Sequence, residues 1–169
     1  YGPFEWTEAA GPDRYRRALY TFRRRSTPYP ALTAFDVPIG EQACVKRTRT
    51  NTPLQALTAL NETVFVEAAR ALGKRAILEG GETDAGRVSL AFRLCVARSP
   101  TGDESKTLQA LLARQRTKFA ADESLAIEVV TGEKKSVARF EDGVSPAEWA
   151  AFTLVARVIL NLDETVTKE

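Results

Sequence analysis

Marks that start and stop helices recur along this chain, with apolar stripes of helical period between them. Thr52-Pro53 sets a hydroxyl at an N-cap and a proline at the first helical position. Thr101 with Glu104, and Ser145-Pro146-Ala147-Glu148, have the spacing of capping boxes. Gly80-Gly81, Ser99-Pro100 and Gly132 stand where helices must end. Between these marks apolar residues return three and four apart, and no period-two alternation of a strand appears. The expected fold is all-α: a single-domain orthogonal bundle of six or seven helices over residues 1–169, with a long Pro-containing loop.

The expected elements follow in order. Asp13 caps a helix from Arg14 to about Arg25, with Tyr15, Ala18, Leu19 and Phe22 on its apolar face. Thr27-Pro28-Tyr29-Pro30 stops it. Residues 27–50 form a connection in which Pro28, Pro30, Pro38 and Gly40 prevent regular structure. Leu32, Phe35, Val37 and Ile39 look like its anchors into the core. The helix opened by Thr52-Pro53 carries Leu54, Leu57 and Leu60, breaks at Asn61, and is followed by one from about Glu62 to Leu78. Phe65, Ala68, Ala69, Leu72 and Ala76 form the face of that second helix. Thr83 or Asp84 opens a helix ended by Ser99-Pro100, Thr101 one that runs to about Ala120, and Asp122 a shorter one closed by Gly132. Residues 133–144 read as a polar loop, Ser145 opens the last helix, and Asn161 to Glu169 reads as a tail.

Composition narrows the chemistry. The 169 residues suffice for one domain with a real core. They include no histidine and no methionine. That excludes Ser-His-Asp and Cys-His catalysis, zinc sites built on imidazole, and the common axial ligands of haem. No metal site and no cofactor is expected in this chain. No run approaches the roughly 20 apolar residues of a membrane span. The chain begins Tyr1-Gly2-Pro3, without a signal peptide, and reads as a piece of a longer polypeptide.

The net charge of +2 is too small to imply nucleic acid or an anionic membrane as partner. It is unevenly spread. Residues 14–49 carry a local +7, and residues 50–169 a local −2. The basic stretch from Arg14 to Arg25 interleaves with Tyr15, Tyr20 and Phe22, a pattern shared with nucleic-acid binders. Its apolar positions are needed for a buried face, so that reading is set aside. Catalysis without histidine would need paired carboxylates or an activated lysine. Asp163-Glu164 and Asp36 with Glu41 supply carboxylates, but nothing in the sequence brings them together. No catalytic residue is assigned. Cys44 and Cys95, the only cysteines, lack metal-ligand spacing. Cys95 reads as a small core residue and Cys44 as a loop residue. Thiols, or a disulfide in an oxidising compartment, both remain open.

The densest polar segment is Arg47-Thr48-Arg49-Thr50-Asn51-Thr52-Pro53-Leu54-Gln55. Two guanidinium forks stand just before a helix N-terminus, which offers unbonded N–H groups and partial positive charge. Arg47, Arg49, Thr50, Asn51, Thr52 and Gln55 are therefore the candidate site. One reading is a pocket for a carboxylate, sulfate or phosphate. The other is a structural latch, in which Thr52 caps its helix, Asn51 holds the loop, and the arginines pair with acids of the chain itself.

Five segments resemble one known family. They are Arg17 to Arg25 (RALYTFRRR), Phe35-Asp36-Val37-Pro38, Arg47 to Leu57 (RTRTNTPLQAL), Phe65 to Leu72, and Leu160-Asn161-Leu162-Asp163-Glu164. In order and spacing the chain resembles the C-terminal part of the planctomycete-type domain of unknown function 1553. The resemblance implies a context. Members usually follow a second uncharacterised domain, and often a cytochrome c-like domain with its own haem. It therefore implies an exported, multidomain bacterial protein, with any haem bound upstream. The implied role is a non-catalytic helical module that packs against the upstream domains of its own polypeptide. Two alternatives are a binding module for a sulfated or acidic glycan, and the substrate-contacting part of a haem-linked redox enzyme.

Overall fold

The computed structural model describes residues 7, 9, 11–22, 27–38, 40, 43–132 and 143–167. The backbone divides into two units, Tyr1–Thr50 and Asn51–Glu169. Among the described residues the regular structure is helical, with no strand.

In the first unit the helix expected over Arg14–Arg25 is replaced by two short 3₁₀ turns, Gly11–Tyr15 and Ala18–Tyr20. Two local causes are visible. Asp13 lies inside the first turn, where its carboxylate pairs with Arg16 at 2.7 Å instead of capping a helix. Arg17 is extended (ψ 150°) between the turns. An amphipathic helix of this length depends on packing of its apolar stripe. Here Tyr15, Leu19 and Phe22 stay exposed, Leu19 at 79 %. Arg23, Arg24 and Arg25 lie outside the described residues.

The stretch expected to lack regular structure contains a short helix, α1 (Pro30–Ala34). Pro30 sits at its first position, where a missing N–H leaves no bond unmade. Asp36 follows in the left-handed region, at φ 57°. Leu32, Phe35 and Val37 are half-buried, and Ile39 lies outside the described residues.

The second unit holds α2 (Pro53–Asn61), α3 (Thr63–Glu79), α4 (Asp84–Val96), α5 (Gly102–Ala121), α6 (Glu123–Thr131), α7 (Pro146–Leu160) and α8 (Asp163–Val166). The expected starts of α2 to α7 are met by side-chain caps at Thr52, Glu62, Thr83, Thr101, Asp122 and Ser145. The bundle is built around α7. Ala150, Ala151, Phe152, Thr153, Val155, Ala156 and Ile159 bury nearly its whole circumference, the mark of a helix surrounded by others. Phe92 of α4, Leu112 and Phe119 of α5, and Ala126 and Val130 of α6 join the same core.

The helices α3 and α7 approach one another closely. The buried face of α3 is the small-residue row Ala69, Gly73 and Ala76, so Ala68 is turned outward. A Cβ on Gly73 would lie 2.9 Å from the Phe152 carbonyl carbon and the Thr153 nitrogen. The two backbones therefore touch there. Trp149 flanks the seam and donates its indole N–H to the Arg70 carbonyl at 2.8 Å. Arg70 in turn donates to the Val129 carbonyl at 2.7 Å, holding the last turn of α6.

Other differences from expectation are local. On α2 the buried residues are Gln55 and Ala59, while Leu54 and Leu57 face solvent. α4 stops at Val96, short of Ser99-Pro100, with Ala97 left-handed at φ 63°. The Ser145 box is half made. Ser145 accepts the Glu148 N–H, but the Glu148 carboxylate points to Arg116 and Arg87 instead of back to the cap. The expected tail contains α8. Of the expected loop over residues 133–144, only 143 and 144 are described. Both cysteines are thiols, Cys44 exposed and Cys95 half-buried beside the core.

Candidate functional site

The candidate residues Arg47, Arg49 and Thr50 belong to the first unit, where two of them close on the turn at Asp36. Arg47 donates from Nη2 to the Phe35 carbonyl at 2.5 Å and from Nε to the Asp36 carbonyl at 3.3 Å. Thr50 donates its N–H and its hydroxyl to Asp36 Oδ2, at 2.9 and 2.7 Å. The left-handed backbone at Asp36 turns its flanking carbonyls toward the guanidinium. Arg49 is exposed.

Asn51, Thr52 and Gln55 belong to the second unit. Thr52 and Gln55 form a complete capping box. The Gln55 N–H donates to Thr52 Oγ1 at 3.3 Å, and the Thr52 N–H donates to Gln55 Oε1 at 3.0 Å. Glutamine suits the site because Gln55 is only 2 % exposed, and a carboxylate there would lose its hydration. Asn51 reaches across the fold and donates from Nδ2 to Asp163 Oδ1 of α8 at 2.5 Å.

Two ionic clusters were not anticipated. In the first, Arg116 of α5 spans the first turns of two other helices. It donates to both carboxylate oxygens of Asp84 on α4, at 2.5 and 2.7 Å. It also binds Glu148 on α7 through Nε and Nη2, at 2.6 and 2.5 Å. Arg87 adds a longer contact to Glu148 at 3.5 Å. Hydrogen bonds from Arg116 hold the Asp84 carboxyl below its ordinary range, and those to Asp84 and Glu148 raise the Arg116 guanidinium further. A carboxylate held this low is a fixed anion and a poor proton donor near neutrality. The sequence did carry a signal. Arg116 falls on the buried row of α5 between Leu112 and Phe119, where an unpaired charge is untenable.

In the second cluster Arg98, just past α4, forks between Glu104 and Glu164. It meets Glu104 at 2.9 and 2.8 Å and Glu164 at 2.9 and 2.5 Å. Arg98 also lies 4.9 Å from the centre of the Phe92 ring. The Arg98 bonds, then the backbone N–H of Thr101, draw the Glu104 carboxyl from 4.5 down to about 2. A depressed carboxyl stabilises the fold above its unfolded pKa, and that contribution fades as pH falls through the folded one. Thermal melts should therefore show stability lost between about pH 4.5 and 2. Arg98→Gln should flatten that part of the profile, with a residue left by the Thr101 N–H.

Among the described residues no group of three or more Cys, Asp or Glu side chains is placed to hold a metal ion. No helix among them is long and apolar enough to cross a membrane. No curated protein and no solved structure matches the chain. A family model does, described as a protein of unknown function (DUF1553), over residues 2–112. The matched stretch contains the Asp36 turn, the whole Arg47–Gln55 segment and the Arg98–Glu104 pair. It stops before α7 and before Leu160–Glu164. With two thirds of its length covered by that model, the chain belongs to the DUF1553 family.

Proposed function

We propose that this domain is a helical packing module, non-catalytic in itself, and that Arg47–Gln55 is its architectural latch. One observation carries the latch reading. Arg47, Thr50, Asn51, Thr52 and Gln55 each spend polar groups on the chain itself, on the Asp36 turn, on Asp163 or on the α2 cap. An anion pocket needs donors aimed outward. The domain is then a partner for the domains upstream in its own polypeptide. The family resemblance supports an exported bacterial protein that carries a cytochrome c-like domain, whose haem this chain does not ligate.

The test separates stability from binding. Thr52→Ala removes the α2 cap and should cost about 1 kcal/mol, a fall in Tm of about 2–4 °C for a chain of this size. Arg47→Ala should act in the same direction. Neither variant should alter a response to sulfate, because none is expected. The anion-site reading prevails if sulfate raises the wild-type Tm saturably and Arg49→Ala removes that rise at unchanged stability. The packing reading is checked by mixing the chain with its upstream domains, where failure to associate overturns it.

A further inference from the structure

Helix α8 differs from every other helix of the second unit. It has four residues, buries none of them, and has no side-chain cap. A helix of one turn does not persist by itself. Three polar attachments hold it. Asp163 accepts the Asn51 amide at 2.5 Å, where the second unit begins. Glu164 accepts the Arg98 fork at 2.9 and 2.5 Å. Thr165 donates its hydroxyl to the Ile159 carbonyl at 2.8 Å, folding α8 back onto the end of α7. Apolar support comes from Leu162, half-buried against the core.

We propose that α8 is a releasable clasp. Closed, it ties the first residue of the second unit to the corner between α4 and α5. Open, it leaves the bundle around α7 intact, because the buried core lies in α3 to α7. The Arg98 and Glu164 side chains are 38 % and 52 % exposed, so their attraction is weak and screened by salt. Elements held by few apolar contacts open at far lower free energy than the global transition. The inference does not depend on the packing role proposed above.

Amide hydrogen exchange on the whole chain tests it. The Thr165, Val166 and Thr167 N–H groups donate to Leu162 and Asp163 carbonyls in the closed clasp. The buried α7 residues Val155 and Ala156 provide the core reference. In wild type the three α8 amides should be protected, yet exchange at least tenfold faster than the core. Glu164→Gln should raise their rates by a further factor of about two to five, and 1 M salt should do the same to wild type, with α7 unmoved. Asn51→Ala is the second variant and should act alike. Three results overturn the proposal: α8 amides unprotected in wild type, α8 rates unmoved by both variants, or α8 and α7 rates rising together.

Discussion

Gly73→Val should be among the most damaging single substitutions in the second unit, costing about 3 kcal/mol and lowering Tm by about 10 °C. The first added atom would already lie 2.9 Å from two backbone atoms of α7. A flexible side chain could swing aside, but a helix backbone cannot. The two helices must separate, and the contacts of Ala69 and Ala76 on the same row are lost with them. Gly73→Ala gives the control. It gains about 1 kcal/mol of helix propensity, so its net loss should be clearly smaller than that of valine. Thermal unfolding followed by far-ultraviolet circular dichroism measures both. Equal stability of Gly73→Val and wild type would mean that α3 and α7 do not touch at the backbone.

Arg116→Met should cost about 2 kcal/mol. Removing one member of a buried ionic cluster costs roughly 3–5 kcal/mol, while an exposed pair is worth less than about 1. The cluster lies between these limits, with side chains 31 % exposed at Arg116, 39 % at Asp84 and 22 % at Glu148. Methionine keeps most of the aliphatic stem and removes the guanidinium, whose central carbon lies 5.8 Å from the centre of the Phe152 ring, so the loss reports the charge with its ring contact. Two half-buried carboxylates would be left facing one another. Adding Asp84→Asn and Glu148→Gln should recover much of the loss, which a merely steric role of Arg116 would not allow. Acid should narrow the gap as well. Asp84 is held below its ordinary 3.8 by Arg116, so its contribution is present above that value and disappears as pH falls below it. Urea unfolding of the three proteins, wild type, Arg116→Met and the triple variant, at neutral pH and near pH 3 completes the test.

The helices that could be read from residues alone are those whose instructions are local. Thr52-Pro53, Thr101 with Glu104, Asp122 and Gly132 act within one turn, and the structure uses each where it stands. Arg14–Arg25 misled because an apolar stripe only states what a helix would bury, and Tyr15, Leu19 and Phe22 remain exposed. Gly73 gave no warning, since the backbone it admits lies about eighty residues further on. The Arg47–Gln55 segment divides the same way. Its capping box was legible, whereas the bond from Asn51 to Asp163 spans 112 positions. The Glu148 carboxylate shows the two scales in competition. Its spacing from Ser145 predicts a return to the cap, but a guanidinium across the fold offers a charge-assisted bond, and the long-range partner wins.

The burial of α7 on nearly all sides has a consequence for synthesis. A ribosome adds about 5–20 residues per second, so several seconds separate the emergence of α3 from that of α7. By the end of that interval Ala69, Leu112, Phe119 and Val130 have been made, while the helix that packs against α3, α5 and α6 has not. Until then the nascent chain carries the apolar residues that its own later segment will cover, and any other apolar surface nearby can compete for them. A chain ended before residue 146 would lack the helix that supplies Ala150, Ala151, Phe152, Val155 and Ile159 to the buried cluster, and would leave their partners uncovered.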